Sequence, residues 1–342
     1  MSSEMLTTKG ASLSSAMTSA VAIQDMCEDF MVSDVSNKNC YYNSNFNGLQ
    51  YTDDGGARHM NPLTRHSLSQ LCAKLGVPVR YIQSCIDKGY PDLAADNINA
   101  WLDEYRKSLF IRTYGDRVRG VLSDRYTTLD SPEVIEVCED TFGDDFKVKG
   151  MYVSEERLHL RIVQKNMLKI KGEDLFAGVT IDSSDVGRSI LCVRFFIYKQ
   201  VCTNGLCISE GMGSIFAQRH VGISKDEFRE GLVASLQTVP VIIPEIMDAI
   251  QCANSYDKEL IDYRGFNEDK QGRFVSRIRA LTKLPEDGVA KILETMYDKY
   301  SVSRWGFVNS ITEVAQDYTL DRRLELENIA GKILLNGSLL VA

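Results

Sequence analysis

Residues 189–202, Ser-Ile-Leu-Cys-Val-Arg-Phe-Phe-Ile-Tyr-Lys-Gln-Val-Cys, hold side chains able to do chemistry together. With the two-residue period of a strand, Leu191, Val193, Phe195 and Ile197 form an apolar face, and Arg194, Phe196, Tyr198 and Gln200 form the other. A cation, two rings and an amide on one face suit single-stranded nucleic acid, because bases stack on rings and phosphates pair with the guanidinium. A sheet buried on both faces, with Arg194 reaching an acidic partner, gives the same pattern, since aromatic strands are common in cores. Residues 157–164 repeat the theme. Leu158, Leu160 and Ile162 alternate with Arg157, His159 and Arg161, and the two polar faces merge only if strand register aligns them.

The surrounding pattern supplies a framework for these strands. Residues 1–20 read as a mobile tail, and residues 21–62 as irregular, with loops at Asn37–Asn47 and Asp53–Gly56. Thr64 caps a helix carrying Leu68, Leu71, Cys72 and Leu75, which Gly76 ends. Pro78 and Pro91 precede two further helices. From Leu109 the period becomes two: Leu109–Tyr114 and Arg117–Leu122 flank Gly115-Asp116 as a hairpin. A helix from Ser131 to about Gly143 follows. Segments 146–153, 157–164, 175–182 and 189–202 then read as an antiparallel meander.

Asn204-Gly205 reads as a turn, and Ser224 with Glu227 as a capping box for a helix that Pro240 and Pro244 interrupt. The remaining chain is expected to be helical. The fold class is therefore α+β: an antiparallel β-meander core flanked by helices, with a helical C-terminal region. The expected divisions are an irregular segment 1–62, a helical segment 63–108, a sheet-plus-helix core 109–255 and a helical region 256–342.

At 342 residues, with 44% hydrophobic and 25% charged content, the composition is that of a soluble globular protein. No apolar run approaches the roughly 18 residues that span a bilayer, and no export signal is expected. Nine scattered cysteines fit a reducing cytoplasm. A net charge of −8 argues against indiscriminate coating of nucleic acid, but the charge is unevenly spread. Lys147 to Lys171 is basic, as is Arg264 to Lys283; Glu133 to Asp145 and Asp317 to Glu327 are acidic.

Catalytic signatures are missing from the sequence pattern. No phosphate-cradling loop ends in Lys-Ser or Lys-Thr, and Gly211-Met212-Gly213 lacks the third glycine of a dinucleotide site. Cys202, Cys207 and His220 lack a fourth zinc ligand at sensible spacing. Arg219-His220 is an isolated pair of a kind found in phosphodiester-handling sites and also at ordinary surfaces. No catalytic residue, cofactor or metal is expected.

Three groups of residues carry a resemblance. They are Arg119-Gly120-Val121-Leu122-Ser123-Asp124-Arg125-Tyr126 with Leu129-Asp130; Val201-Cys202-Thr203-Asn204-Gly205-Leu206 with Arg219-His220-Val221-Gly222; and Trp305 to Glu313. Over roughly residues 60–335 the chain resembles an uncharacterised family borne by bacteriophages and plasmids. That resemblance implies a mobile-element context and no particular reaction. The basic meander followed by a helix is also similar, at fold level alone, to single-strand annealing recombinases.

The leading expectation is a cytoplasmic, homo-oligomeric protein of a bacterial host cell that binds single-stranded DNA and promotes strand annealing. Arg157, His159, Arg161, Arg194, Phe196 and Tyr198 form the expected binding face, extended by Arg117, Arg119 and Arg125, with phosphate contacts from Lys165, Lys169 and Lys171. Two alternatives stand beside it: a factor that blocks a host or defence protein through the acidic stretch Glu133–Asp145, and a metal-dependent nuclease. For Asp124 and Arg125 a purely structural role, locking a turn, is the competing expectation.

Overall fold

The computed structural model describes residues 10–36, 39–170, 173–199, 204–208, 214–255 and 261–340; Lys171, Gln200, Val201, Cys202 and Gly211-Met212-Gly213 lie outside them. The described residues build an α+β fold with two large hydrophobic cores and a small cluster of Val163, Phe176 and Phe196.

The smaller core lies near the N-terminus. Helix α1 (Leu13–Gln24), capped reciprocally by Ser12 and Ser15, precedes it and buries Ala16 and Ala20 in the larger core, so residues 13–20 are not a mobile tail. Strands β1 (Cys27–Val32), β2 (Cys40–Asn43), β3 (Gly48–Thr52) and β4 (Arg58–Pro62) come next. Helices α2 (Arg65–Leu75), α3 (Val79–Asp87) and α4 (Pro91–Glu104) follow, then the hairpin β5 (Leu109–Tyr114) and β6 (Arg117–Leu122). Two three-stranded antiparallel sheets result, β2-β3-β4 and β1-β5-β6. Residues 21–62 are thus more regular than their sequence suggests. Their strands are four to six residues long, and Cys40, Tyr42, Leu49 and Tyr51 do the burying, so period-two alternation has little length in which to show. The hairpin belongs with this unit rather than with the later meander, since Leu109, Ile111, Val118 and Val121 enter the smaller core.

The larger core is organised by a seven-stranded antiparallel sheet containing β7 (Phe146–Val153), β8 (Leu158–Gln164), β9 (Leu168–Ile170), β10 (Glu173–Ser183), β11 (Leu191–Lys199), β12 (Asn204–Ile208) and β13 (Ser214–Gln218). The path runs β12-β11-β10-β8-β7, with β13 also on β11 and β9 on β10. Alternation makes this possible. Leu158, Leu160 and Ile162 of β8, Val179 and Ile181 of β10, and Val193 and Phe195 of β11 are fully buried on one face. Asn204 and Gly205 are not a turn: they pair with Lys199 and Tyr198 as the start of β12.

Helix α5 (Ser131–Phe142) carries an Asp130/Glu133 capping box, and α6 (Lys225–Gln237) a Ser224/Glu227 box, each worth about 1 kcal/mol. Helix α7 (Val239–Ser255) accepts Pro240 in its first turn, where no intrahelical bond is lost, and contains Pro244. The C-terminal helices are α8 (Glu268–Thr282), α9 (Glu286–Lys299), α10 (Arg304–Val314) and α11 (Leu320–Leu335). Phe307 is fully buried in the larger core, and Asn309 donates to the Trp305 carbonyl at 2.8 Å. Among the described residues no single helix is long and apolar enough to cross a membrane. Helices α6 and α7 reach that length only together, bent by 46° and with Phe228, Leu232, Ile246 and Ile250 in the core.

Candidate functional site

The register aligns the two polar strand faces. Thr180 of β10 sits between Arg161 of β8 and Arg194 of β11, Gly178 between Val163 and Phe196, and Asp182 between His159 and Cys192. Gly178 is required there, because a Cβ would lie 1.9 Å from the Ile162 carbonyl oxygen. Arg161 then extends over the Phe196 ring, 5.1 Å from its centroid. The continuous basic and aromatic face therefore exists.

That face is closed. Helix α11 brings Glu327, fully buried, to Arg161 at 2.6 Å, and Asp321 to Arg157. Asp182 accepts from Arg157 at 2.8 Å, His159 at 2.9 Å and Arg194 at 2.6 Å. Burial drives the His159 imidazole pKa down, and its hydrogen bonds fix the neutral form: Nδ1–H donates to Asp182 while Nε2 accepts from Arg161 Nε. Burial alone would raise the Asp182 carboxyl; His159, Arg157 and Arg194 instead hold it well below the usual carboxylate range.

The expected binding residues thus divide. Arg157, His159, Arg161 and Phe196 are buried, so they offer no stacking surface or free charge in this conformation. Arg194 and Tyr198 are half-buried; Lys149 Nζ lies 4.6 Å from the Tyr198 ring centroid. Arg119 is buried beneath the sheet edge, donating to the Glu155 carbonyl at 2.7 Å and to Asp185 at 2.9 Å. Arg117, Arg125, Lys165 and Lys169 are exposed. Of the acidic stretch, Glu133 pairs with Lys225, and Glu136 and Asp140 with Arg229. Among the described residues no cluster of three or more His, Cys, Asp or Glu has the arrangement of a metal site.

A second ionic layer joins the two cores. Arg112, with no exposed surface, forks onto Asp29 at 2.8 and 3.0 Å and donates to Asp130 at 2.9 Å and the Asp185 carbonyl at 2.8 Å. Beside this seam, the segments singled out in the sequence converge. Tyr126 and Val221 form an isolated antiparallel bridge, Thr127 N–H donates to the His220 carbonyl at 2.7 Å, and the Thr127 hydroxyl donates to the Ile223 carbonyl at 2.6 Å. The Tyr126 hydroxyl donates to the Ser184 carbonyl at 3.0 Å, adding the β10–β11 loop. From α2, Gln70 donates to the Val186 carbonyl at 2.7 Å and accepts from Val121 N–H at 2.9 Å. Gly187 adopts φ +72°, turning the loop beside Gln70 and Tyr126. The 123–126 turn is held by these bonds and by Tyr126 N–H to the Ser123 carbonyl, while Asp124 and Arg125 are exposed.

Together these segments enclose a cleft of about 520 Å³. Its walls include the apolar side chains Val121, Leu122, Ile190 and Val221, with the Tyr126 ring alongside. Lys74, Arg188 and Arg219 also line it, no carboxylate does among the described residues, and the Arg125 guanidinium lies beside Gly222, which follows Val221 of the wall. Burial lowers the Lys74 pKa, with Asp124 opposing that shift. Arg188 is paired with Glu156 at 2.9 Å and with Asp321 of α11 at 3.5 Å, whereas Arg219 and Arg125 form no ion pair among the described residues. His220 also lines the cleft, stacked parallel on Tyr126 with centroids 5.1 Å apart. Its Nδ1–H donates to the Thr127 carbonyl at 3.1 Å, and burial holds its pKa down at about 4. The ring is therefore neutral, and among the described residues Nε2 is a buried acceptor without a partner, as is the Ser189 hydroxyl on the same wall. Leaving such a group unsatisfied costs about 1–3 kcal/mol. The sequence drew attention to Arg125, Tyr126, Arg219 and His220 but not to Gln70, Lys74 or Arg188. Those come from separate segments, and only the fold unites them.

Fold and cleft together define an α+β protein with a basic, ligand-sized opening where its N-terminal unit meets the main sheet. The chain belongs to the family of the Domain of unknown function (DUF932), whose model matches residues 118–332, from β6 into α11. Neither a curated relative nor a solved structure matches the chain.

Proposed function

We propose that the protein binds single-stranded DNA, and that the strand runs over the cleft at the seam rather than over the closed sheet face. The observation that carries this reading is the convergence of Lys74, Arg188 and Arg219, from three separate segments of an acidic chain, on one cleft that no carboxylate lines among the described residues. Phosphates pair with the cations, and bases meet the apolar walls and the Tyr126 ring. A duplex keeps its bases paired and stacked, so an unpaired strand is the form that can offer bases to those walls. In the fuller form of the proposal, the protein is a phage- or plasmid-borne factor in the bacterial cytoplasm that promotes annealing as a homo-oligomer. Support for that extension is the succession of meander and α6, which is similar to annealing recombinases at the level of fold alone.

The test is binding of a fluorescent single-stranded oligonucleotide across a salt series, with a duplex of the same sequence alongside. The expected result is single-strand preference, with affinity falling linearly on a log–log plot as counterions are released. Absence of binding at low salt would overturn the reading.

A further inference from the structure

We infer that the cleft holds one whole unstacked nucleotide, its phosphate on Arg219 and the neighbouring cations and its base hydrogen-bonded to His220. This rests on the single-strand reading and deepens it: the ligand class becomes a nucleoside phosphate, not merely a polyanion. Three features carry the inference. Arg219 lines the cleft and has no carboxylate partner among the described residues, so an anion can take its guanidinium without breaking an existing pair. Leu122, Ile190 and Val221 supply apolar surface that a phosphate alone would not use, in a cleft of about 520 Å³, within the range of small-ligand sites.

The third feature is directional. Because the His220 Nδ1–H is committed to the Thr127 carbonyl, Nε2 can only accept. A ligand that satisfies it must bring an N–H or O–H donor. Every base offers an N–H on its Watson–Crick edge, whereas a phosphate dianion offers none. The unpartnered Ser189 hydroxyl on the same wall is free to donate to or accept from the sugar or base.

Deoxycytidine 5′-monophosphate and deoxyribose 5-phosphate are the probes, each titrated directly into the full chain by calorimetry and as a competitor of a bound oligonucleotide. The nucleotide should bind and compete, and the base-less phosphate should do so at least tenfold more weakly. His220→Phe keeps an aromatic ring but removes the acceptor; it should cost the nucleotide about tenfold while leaving the salt slope of the oligonucleotide unchanged. Ile190→Trp is the second variant, because Ile190 is an exposed wall residue and the larger ring would crowd the cleft while leaving every cationic residue in the chain. It should abolish nucleotide binding in a protein that still melts cooperatively.

Equal binding of the two phosphates, or an unchanged nucleotide affinity in both variants, overturns the nucleotide pocket even if the oligonucleotide still binds. If the nucleotide binds and the oligonucleotide does not, the pocket stands as a site for a free nucleotide and the single-strand reading falls.

Discussion

The molecule gathers cationic side chains in two places and treats them in opposite ways. On the β8–β10–β11 face, Arg157, Arg161 and Arg194 each meet a carboxylate supplied by the same chain, with Asp182 below and Asp321 and Glu327 delivered by α11. At the seam cleft, Arg219 and Arg125 are exposed and unpaired among the described residues, while nearby Lys74 and Arg188 are partly covered. Both regions look basic in sequence. The difference lies in whether the chain returns an acid to the cation, as it does even for Arg188 at the cleft through Glu156 and Asp321, but not, among the described residues, for Arg219 or Arg125. Where it does, the charges fix one packing arrangement; where it does not, they remain available to a ligand.

The largest expected effect tests the closed side. Arg161→Met leaves Glu327 buried with less compensation, and should destabilise the fold by about 3–5 kcal/mol in urea denaturation. Adding Glu327→Leu removes the stranded charge and should recover much of that loss, although Arg323, also paired to Glu327, then loses its own partner. A single variant as stable as the parent would mean that α11 does not seal this face.

Acid titration gives the next effect. An imidazole held at about pKa 4 in the folded chain and near 6.5 when unfolded leaves the unfolded state to take up the proton first as pH falls. The contribution of His220 is therefore complete above about pH 6.5 and is lost towards pH 4. It amounts to about 3 kcal/mol in total, and about 2 kcal/mol is gone by pH 5. His159, also shifted down, acts in the same direction over a window that opens at the same pH. Asp182 adds a second loss below about pH 3.8, whereas Asp185, whose pKa burial raises, favours the folded state as pH falls towards 3.8 and so offsets part of the imidazole loss. Urea midpoints at pH 7.5 and 5 check the first window, and equal midpoints would show that both imidazoles titrate as if exposed.

Much of this fold is legible in the chain because local signals and burial agree. Thr64 and Gly76 bracket α2, Ser224 and Glu227 open α6, and apolar alternation marks β8 and β11. The closed face was half legible. Period two placed Arg161 and Phe196 on polar faces, and their alignment through Thr180 and Gly178 depends on register. Nothing local to Arg161 announces Glu327, 166 residues away. The cleft was legible in fragments: Arg219-His220 stands out as a pair, yet its meaning depends on Tyr126, almost a hundred residues earlier, stacking on the imidazole. Residues 21–62 were misread because their strands are too short for periodicity to rise above composition.

The smallest expected change in stability carries the sharpest contrast in binding. Arg219→Ala removes an exposed side chain with no ion pair among the described residues, so stability should move by less than about 0.5 kcal/mol. If a phosphate sits on that guanidinium, the salt slope of single-strand binding should fall by about one unit, and combining it with Lys74→Ala should lower the slope further. Tyr198→Ala is the counterpart on the closed face. It truncates a half-buried ring beside Lys149, and should leave both slope and affinity unchanged. Were Tyr198 stacking a base, its loss would cost about 1–3 kcal/mol of binding instead. The two variants therefore divide the regions by function, because each is mild enough to fold and only one touches the bound strand. An affinity that falls with Tyr198→Ala and a slope that holds with Arg219→Ala would return the site to the sheet, and would require α11 to lift away from it before a strand could bind.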